Sequence, residues 1–167
     1  LHHAQEQSSF QAFVQLVGMG ADRHEDYGNG WNPLIMAFAR RHSTFIDYLL
    51  DGDQKTLNSV ATDGPHSFTA LHLAVDLGDE DHIVKMIQRG ADTTIKATPG
   101  RDAVTAGEYA RARHKPRIAE IFDLAPTIRA QFEQDAAEMR ALMAVPPPDP
   151  KQEPPVQSPF RGVAAAA

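Results

Sequence analysis

Residues 67–92 read SFTALHLAVDLGDEDHIVKMIQRGAD, and this stretch decides the fold. Two short helices are legible in it. Thr69 is a good N-cap, because its hydroxyl accepts from an orphan amide at the helix start. Leu71, Leu73 and Ala74 follow as a small apolar face, and Gly78 is a natural left-handed stop. A second apolar set, Ile83, Met86 and Ile87, runs at helical spacing to another stop at Gly90. Isolated helices below about 12–15 residues are marginal in water, and both of these are shorter. They need neighbours of their own kind, so the rest of the chain is expected to repeat.

It does. Sliding the stretch back by 70 residues sets Leu1, His2 and Ala4 on Leu71, His72 and Ala74. The same shift sets Phe13 on Ile83, Leu16 on Met86, and Gly20-Ala21-Asp22 on Gly90-Ala91-Asp92. A His-rich start is also a common tag scar, but the register favours a chain that begins inside a repeat, with native residues before Leu1. A second copy is Asn32-Pro33-Leu34-Ile35-Met36-Ala37, continued by Phe45, Ile46, Leu49 and Leu50; Arg41 stands where the central copy has Gly78. A fourth begins at Thr105-Ala106 and continues through Tyr109 and Ala110 to Ile118, Ile121 and Phe122, with Gly107 and Glu108 in place of Leu and His. The equivalent positions Leu1, Leu34, Leu71 and Gly107 lie 33, 37 and 36 residues apart. The surplus falls in Asp51–Phe68 and Thr93–Val104, whose Gly, Pro, Asp and Ser suit projecting hairpin loops.

Thr-Ala-Leu-His-x-Ala, then Gly, an apolar pair and Gly-Ala-Asp, resembles the ankyrin repeat, whose signature is Thr-Pro-Leu-His-x-Ala. The resemblance spans roughly residues 1–124 and is strongest in the third copy. It implies an all-α fold, a solenoid of stacked helix–turn–helix units with hairpin loops, over residues 1–125 (about 1–27, 28–63, 64–99 and 100–125). Thr127 is read as the cap of one longer helix over 126–144, with Ile128, Phe132, Met139, Leu142 and Met143 loosely on one face. That helix is expected to cover the open edge of the fourth repeat, since an uncovered solenoid end is an apolar patch; docking a partner is its other reading. Residues 145–167 hold seven of the twelve prolines and are expected to be an extended or disordered tail.

Composition narrows the function. A net charge of -6 argues against a nucleic-acid binder, which needs a basic stripe. No run of 18 apolar residues offers a membrane span. The absence of cysteine removes disulfides and thiolate sites without choosing a compartment. A cytoplasmic setting is favoured, although a leader ahead of Leu1 would be invisible. No nucleophile elbow, P-loop or dinucleotide fingerprint occurs. The resemblance explains His72 as the residue that ties neighbouring loops together, and His24, His66, His82 and His114 lack ligand spacing. No catalytic residue, cofactor or metal is therefore expected.

The expected function is protein binding through the concave face and hairpin tips, where the family usually carries its contacts. Matched residue by residue, these positions give Trp31, Arg40, Phe68, Asp76, Leu77, Arg101 and Arg113 as candidate partner contacts. Trp31 is the single tryptophan and sits at a hairpin. It is either a contact anchor, as Trp often is in interfaces, or a stiffener packed on Tyr27. Two alternatives stand behind an adaptor: an inhibitor or immunity-type protein that occludes an enzyme or toxin, and an enzyme with an unrecognised site. The partner's identity and the oligomeric state are not legible.

Overall fold

Each inner helix starts on the cap that its sequence announces. In the computed structural model, which describes residues 2–144 and 146 (2–6 by their backbone alone), Asn32 caps α2 (Pro33–Ala39). Its side chain accepts from the Ile35 amide at 3.1 Å, and Pro33 fills the first position, where a missing N–H costs nothing. Thr69 and His72 form a reciprocal capping box on α4 (Ala70–Leu77). Thr105 and Glu108 form another on α6 (Ala106–Ala112), the Thr105 amide donating to the Glu108 carboxylate at 2.8 Å. Glu108 is thus no loss of the motif. The Thr-x-x-Glu box does locally what Thr-x-x-His does in the third copy.

The three inner helices also end alike. His42, Asp79 and Lys115 donate their amides back to Ala37, Ala74 and Ala110, and Arg41, Gly78 and His114 to Phe38, Val75 and Arg111. This is the Schellman closure, and it needs a left-handed residue at its corner. Gly78 supplies it without strain at φ 74°, but Arg41 and His114 are driven there at φ 57° and 55°. Replacing Arg41 or His114 by glycine is expected to stabilise the protein by about 1 kcal/mol each, the relieved backbone strain less the added unfolded-state entropy. Urea denaturation followed by circular dichroism checks this; a lower midpoint in both variants would contradict it.

Each inner helix turns back into an outer one: α3 (Ser43–Leu50), α5 (Glu80–Gln88) and α7 (Pro116–Asp123). Within residues 1–133, α2 packs on α4 and α4 on α6, while α3 packs on α5 and α5 on α7. The core runs through these contacts and is thickest in the second and third copies, where Ile35, Phe38, Ile46, Leu50, Val75, Ile83, Met86 and Ile87 are fully buried. It thins in the fourth. A Cβ on Gly107, which takes the place of Leu71, would lie 3.1 Å from the Phe122 Cβ, so the missing side chain lets α7 close onto α6.

The first copy departs from the pair pattern. Its helix α1 runs unbroken over His2–Gly18. Ser8 stands where the third copy has Gly78, and the helix continues through it. Its far end does follow the repeat: Ala21 donates to Leu16 O at 2.9 Å as Ala91 does to Met86 O. Phe10 and Phe13 of α1 meet Phe45 and Tyr48 of α3 in a four-ring cluster with centroids 5.0–6.3 Å apart.

The long connector after α3 forms an antiparallel hairpin, β1 (Ala61–Asp63) with β2 (His66–Phe68), in the register Ala61↔Phe68. Its upstream half is anchored by Leu57, only 3% exposed. The next connector closes with Ala97 and Val104 exchanging both backbone bonds, at 3.0 and 2.9 Å. Adjacent loops are bonded to one another: Thr62 N donates to Asn29 O at 2.9 Å, and Ser67 N to Thr98 O at 3.0 Å.

The last helix, α8 (Ala125–Met143), starts two residues before the predicted cap, so Thr127 lies inside its first turn. Ile128 packs against the core, and Arg129 donates to Ala91 O at 2.7 Å. The chain divides into two units at 133/134, and in the second, Met139, Leu142 and Met143 are 64%, 73% and 85% exposed.

Candidate partner-binding surface

The candidate contacts come from equivalent places in successive copies, and stacking brings several of them together. Trp31 ends its hairpin with its indole Nε1 donating to Thr62 O at 3.1 Å. Its ring meets Phe68 of the next copy edge to face, centroids 5.4 Å apart. Tyr27 reaches Trp31 through the backbone, its amide donating to Trp31 O at 2.7 Å, while its side chain stays exposed. The stiffening expected within one hairpin is therefore a bridge between two. Both rings remain half-buried, leaving one flank of each open.

A polar counterpart sits one copy further on. Asp76 on α4 accepts from the Tyr109 hydroxyl at 2.9 Å, and Arg113 lies 3.1 Å from the same carboxylate. The Arg113 guanidinium also stands 5.8 Å from the centre of the Tyr109 ring. Burial, then the hydrogen bond to Asp76 and its charge, push the Tyr109 hydroxyl above its ordinary pKa, with Arg113 acting the other way. Tyr109 was not among the expected contacts. Its position on α6, one residue beyond the capping Glu108, was the available signal.

Leu77 is half-buried against the core near the end of α4. Arg40, at the C-cap of α2, and Arg101, in the last hairpin, are exposed and make no ion pair among the described residues. The structure therefore joins Trp31 to Phe68 and Asp76 to Arg113, and leaves Arg40 and Arg101 as separate exposed charges.

Beneath this surface His72 is 1% exposed and bonded at both ring nitrogens. Nε2 lies 2.9 Å from Val104 O, and a carbonyl only accepts, so the proton is on Nε2. Nδ1 then accepts from the Thr69 hydroxyl at 2.8 Å and faces the Thr69 amide at 3.4 Å. Burial pushes this imidazole below its ordinary pKa of 6.5; the bond to Val104 and the charge of Asp76 offset only part of it.

Lys115 makes a second link that spacing alone does not reveal. Its Nζ donates to Val75 O at 2.6 Å and to Asp76 O at 2.8 Å, closing the negative end of α4 from the following copy. Lys115→Met keeps the aliphatic stem and removes the donors, and is expected to cost about 1.5 kcal/mol. A thermal melt that leaves this variant at the parent's midpoint would show the cap to be idle.

Among the described residues, no three His, Asp or Glu side chains gather as metal ligands would, and no helix is long and apolar enough to cross a membrane. The family model for ankyrin repeats (3 copies) matches residues 1–97, more than half of the chain. A comparison with curated proteins finds no match. The repeated caps and Schellman closures, the loop-tying histidine and that match agree: the chain belongs to the ankyrin-repeat family, whose members generally mediate protein–protein interaction and are typically not enzymes.

Proposed function

We propose that this chain is a non-enzymatic binding module: a short solenoid of about four repeats over residues 1–125 that takes a protein partner on its concave face and hairpin tips. Trp31, Arg40, Phe68, Asp76, Leu77, Arg101 and Arg113 are the contact residues, and the start of α8 caps the fourth repeat. The supporting observation is the pairing of side chains across copies, half-buried Trp31 with Phe68 and exposed Asp76 with Arg113, which fixes these groups in place before a partner arrives. Groups held in this way lose little entropy on binding. Stacking also lines equivalent positions into one surface.

A pull-down with the full chain beside a Trp31→Ala, Arg40→Ala, Leu77→Ala variant tests the reading. The expected result is a protein captured by the parent and lost from the variant, with the helical circular dichroism of both intact. A partner held equally by both would overturn the choice of surface.

A further inference from the structure

Where the β1–β2 hairpin meets the inner helix α4 and the following loop, a cleft of about 220 Å³ opens. That is below the roughly 300–1,000 Å³ of typical small-molecule sites and suits one side chain. Phe68, Leu73 and Pro99 give it apolar walls, all three half-buried. Asp63 and His66, opposite each other in the hairpin register, also line it, as does Asp76.

The polar groups of the lining decide what fits. His72 offers nothing, because Val104 and Thr69 occupy both of its nitrogens. Asp76 is already held by Tyr109 and Arg113. Asp63 is different: its carboxylate is exposed and has no hydrogen-bond or ion-pair partner among the described residues. An apolar side chain closing the cleft would strip water from that carboxylate and give nothing back, which costs free energy. An anion would meet like charge. A cation satisfies Asp63, and a flat one with an aliphatic stem also uses the walls.

We infer that this cleft receives an arginine side chain of the partner, its stem along Leu73 and Pro99 and its guanidinium between the Phe68 ring and the Asp63 carboxylate. Arginine fits better than lysine because its planar fork pairs with a carboxylate through two donors and stacks on aromatic faces, and it is the less strongly hydrated cation. The inference rests on the proposed binding function and adds the chemistry of one contact.

The test is a titration of the full chain, ¹⁵N-labelled, with N-acetyl-arginine amide. N-acetyl-citrulline amide, which has the same shape without the charge, and N-acetyl-lysine amide serve as comparisons. Saturating shifts at Asp63, His66, Phe68, Leu73 and Gly100 are expected for arginine, with at least fivefold weaker binding of the other two. Asp63→Asn, at an exposed hairpin position, should keep the dispersed spectrum and weaken arginine at least fivefold. Equal binding of citrulline or lysine, shifts centred elsewhere, for example on Asp79–Asp81, an unaffected Asp63→Asn variant, or no saturation would each overturn the inference. A partner that depends on the Trp31, Arg40 and Leu77 surface while arginine stays silent in the cleft would overturn this contact and leave the binding function standing. Arginine seated in the cleft, with a partner held equally by parent and triple variant, would uphold this contact and overturn the choice of the Trp31, Arg40 and Leu77 surface.

Discussion

Gly30→Ala is expected to destabilise the protein by about 3 kcal/mol, combining left-handed backbone strain with overpacking. Gly30 lies at φ 77°, where any side chain is strained, and a Cβ built on it would fall 2.0 Å from Val60 O. The obstacle is backbone rather than the end of a flexible side chain, so the turn that carries Gly30 would have to lift away from Val60 and the start of β1. That movement would also pull on the bond from Thr62 N to Asn29 O and on the seat of Trp31 against Thr62 O. Gly64→Ala is the matched comparison. Gly64 has φ 59° with nothing within 4 Å of the added Cβ, so it carries strain alone, about 1 kcal/mol. Urea denaturation of the two variants separates the terms. Equal losses would mean that the hairpin–hairpin contact contributes nothing.

His72→Ala is expected to cost a similar amount, about 3 kcal/mol. The change takes one of two donors from the Val104 carbonyl, which keeps its bond from Ala97 N, and leaves the buried Thr69 cap without its Nδ1 acceptor, where an unsatisfied group costs about 1–3 kcal/mol. A cavity is added as well. The same residue gives a pH signature. With its pKa held below 6.5 by burial, His72 stays neutral in the folded chain at pH values where the unfolded chain already binds a proton. Its contribution is complete above pH 6.5 and is lost as pH falls through that value toward the folded pKa. Stability measured between pH 7 and 5 should therefore fall more steeply in the parent than in His72→Gln. Parallel profiles would show that His72 does not resist protonation.

Much of this fold was legible because ankyrin stability is written locally. Thr69, Gly78 and Gly90 mark where helices begin and end through backbone chemistry that one residue decides. The same logic found the second copy through Asn32 and Pro33. It undervalued Glu108, whose capping box is a local signal that looked like divergence because the family's histidine was missing. It set Arg41 at the place of Gly78 without drawing the backbone consequence, and gave no warning that α1 would run through Ser8 or that His114 would take a glycine's conformation. Those outcomes depend on how neighbouring turns are held, not on the residue alone.

The binding surface was less legible. Seven positions followed from the register of the repeat, but their chemistry depends on what the next copy places beside them. Trp31 looked like a hairpin tip and is half of a ring pair with Phe68, 37 residues away. Asp76 and Arg113 were separate candidates and are one ion pair, with Tyr109 joined to it.

The sequence by itself determined the repeat and the family, through matches 33–37 residues apart, and the caps and stops at Asn32, Thr69, Gly78 and Gly90, because each of these is set within about one helical turn. Only the tertiary structure decided which charges are neutralised and which remain open: Asp76 closed by Arg113, Lys115 spent on the end of α4, and Asp63 left facing a cleft. The reason is distance. A stack brings together residues more than 30 positions apart, and a side chain's free valence depends on the neighbour that arrives there rather than on the motif that carries it.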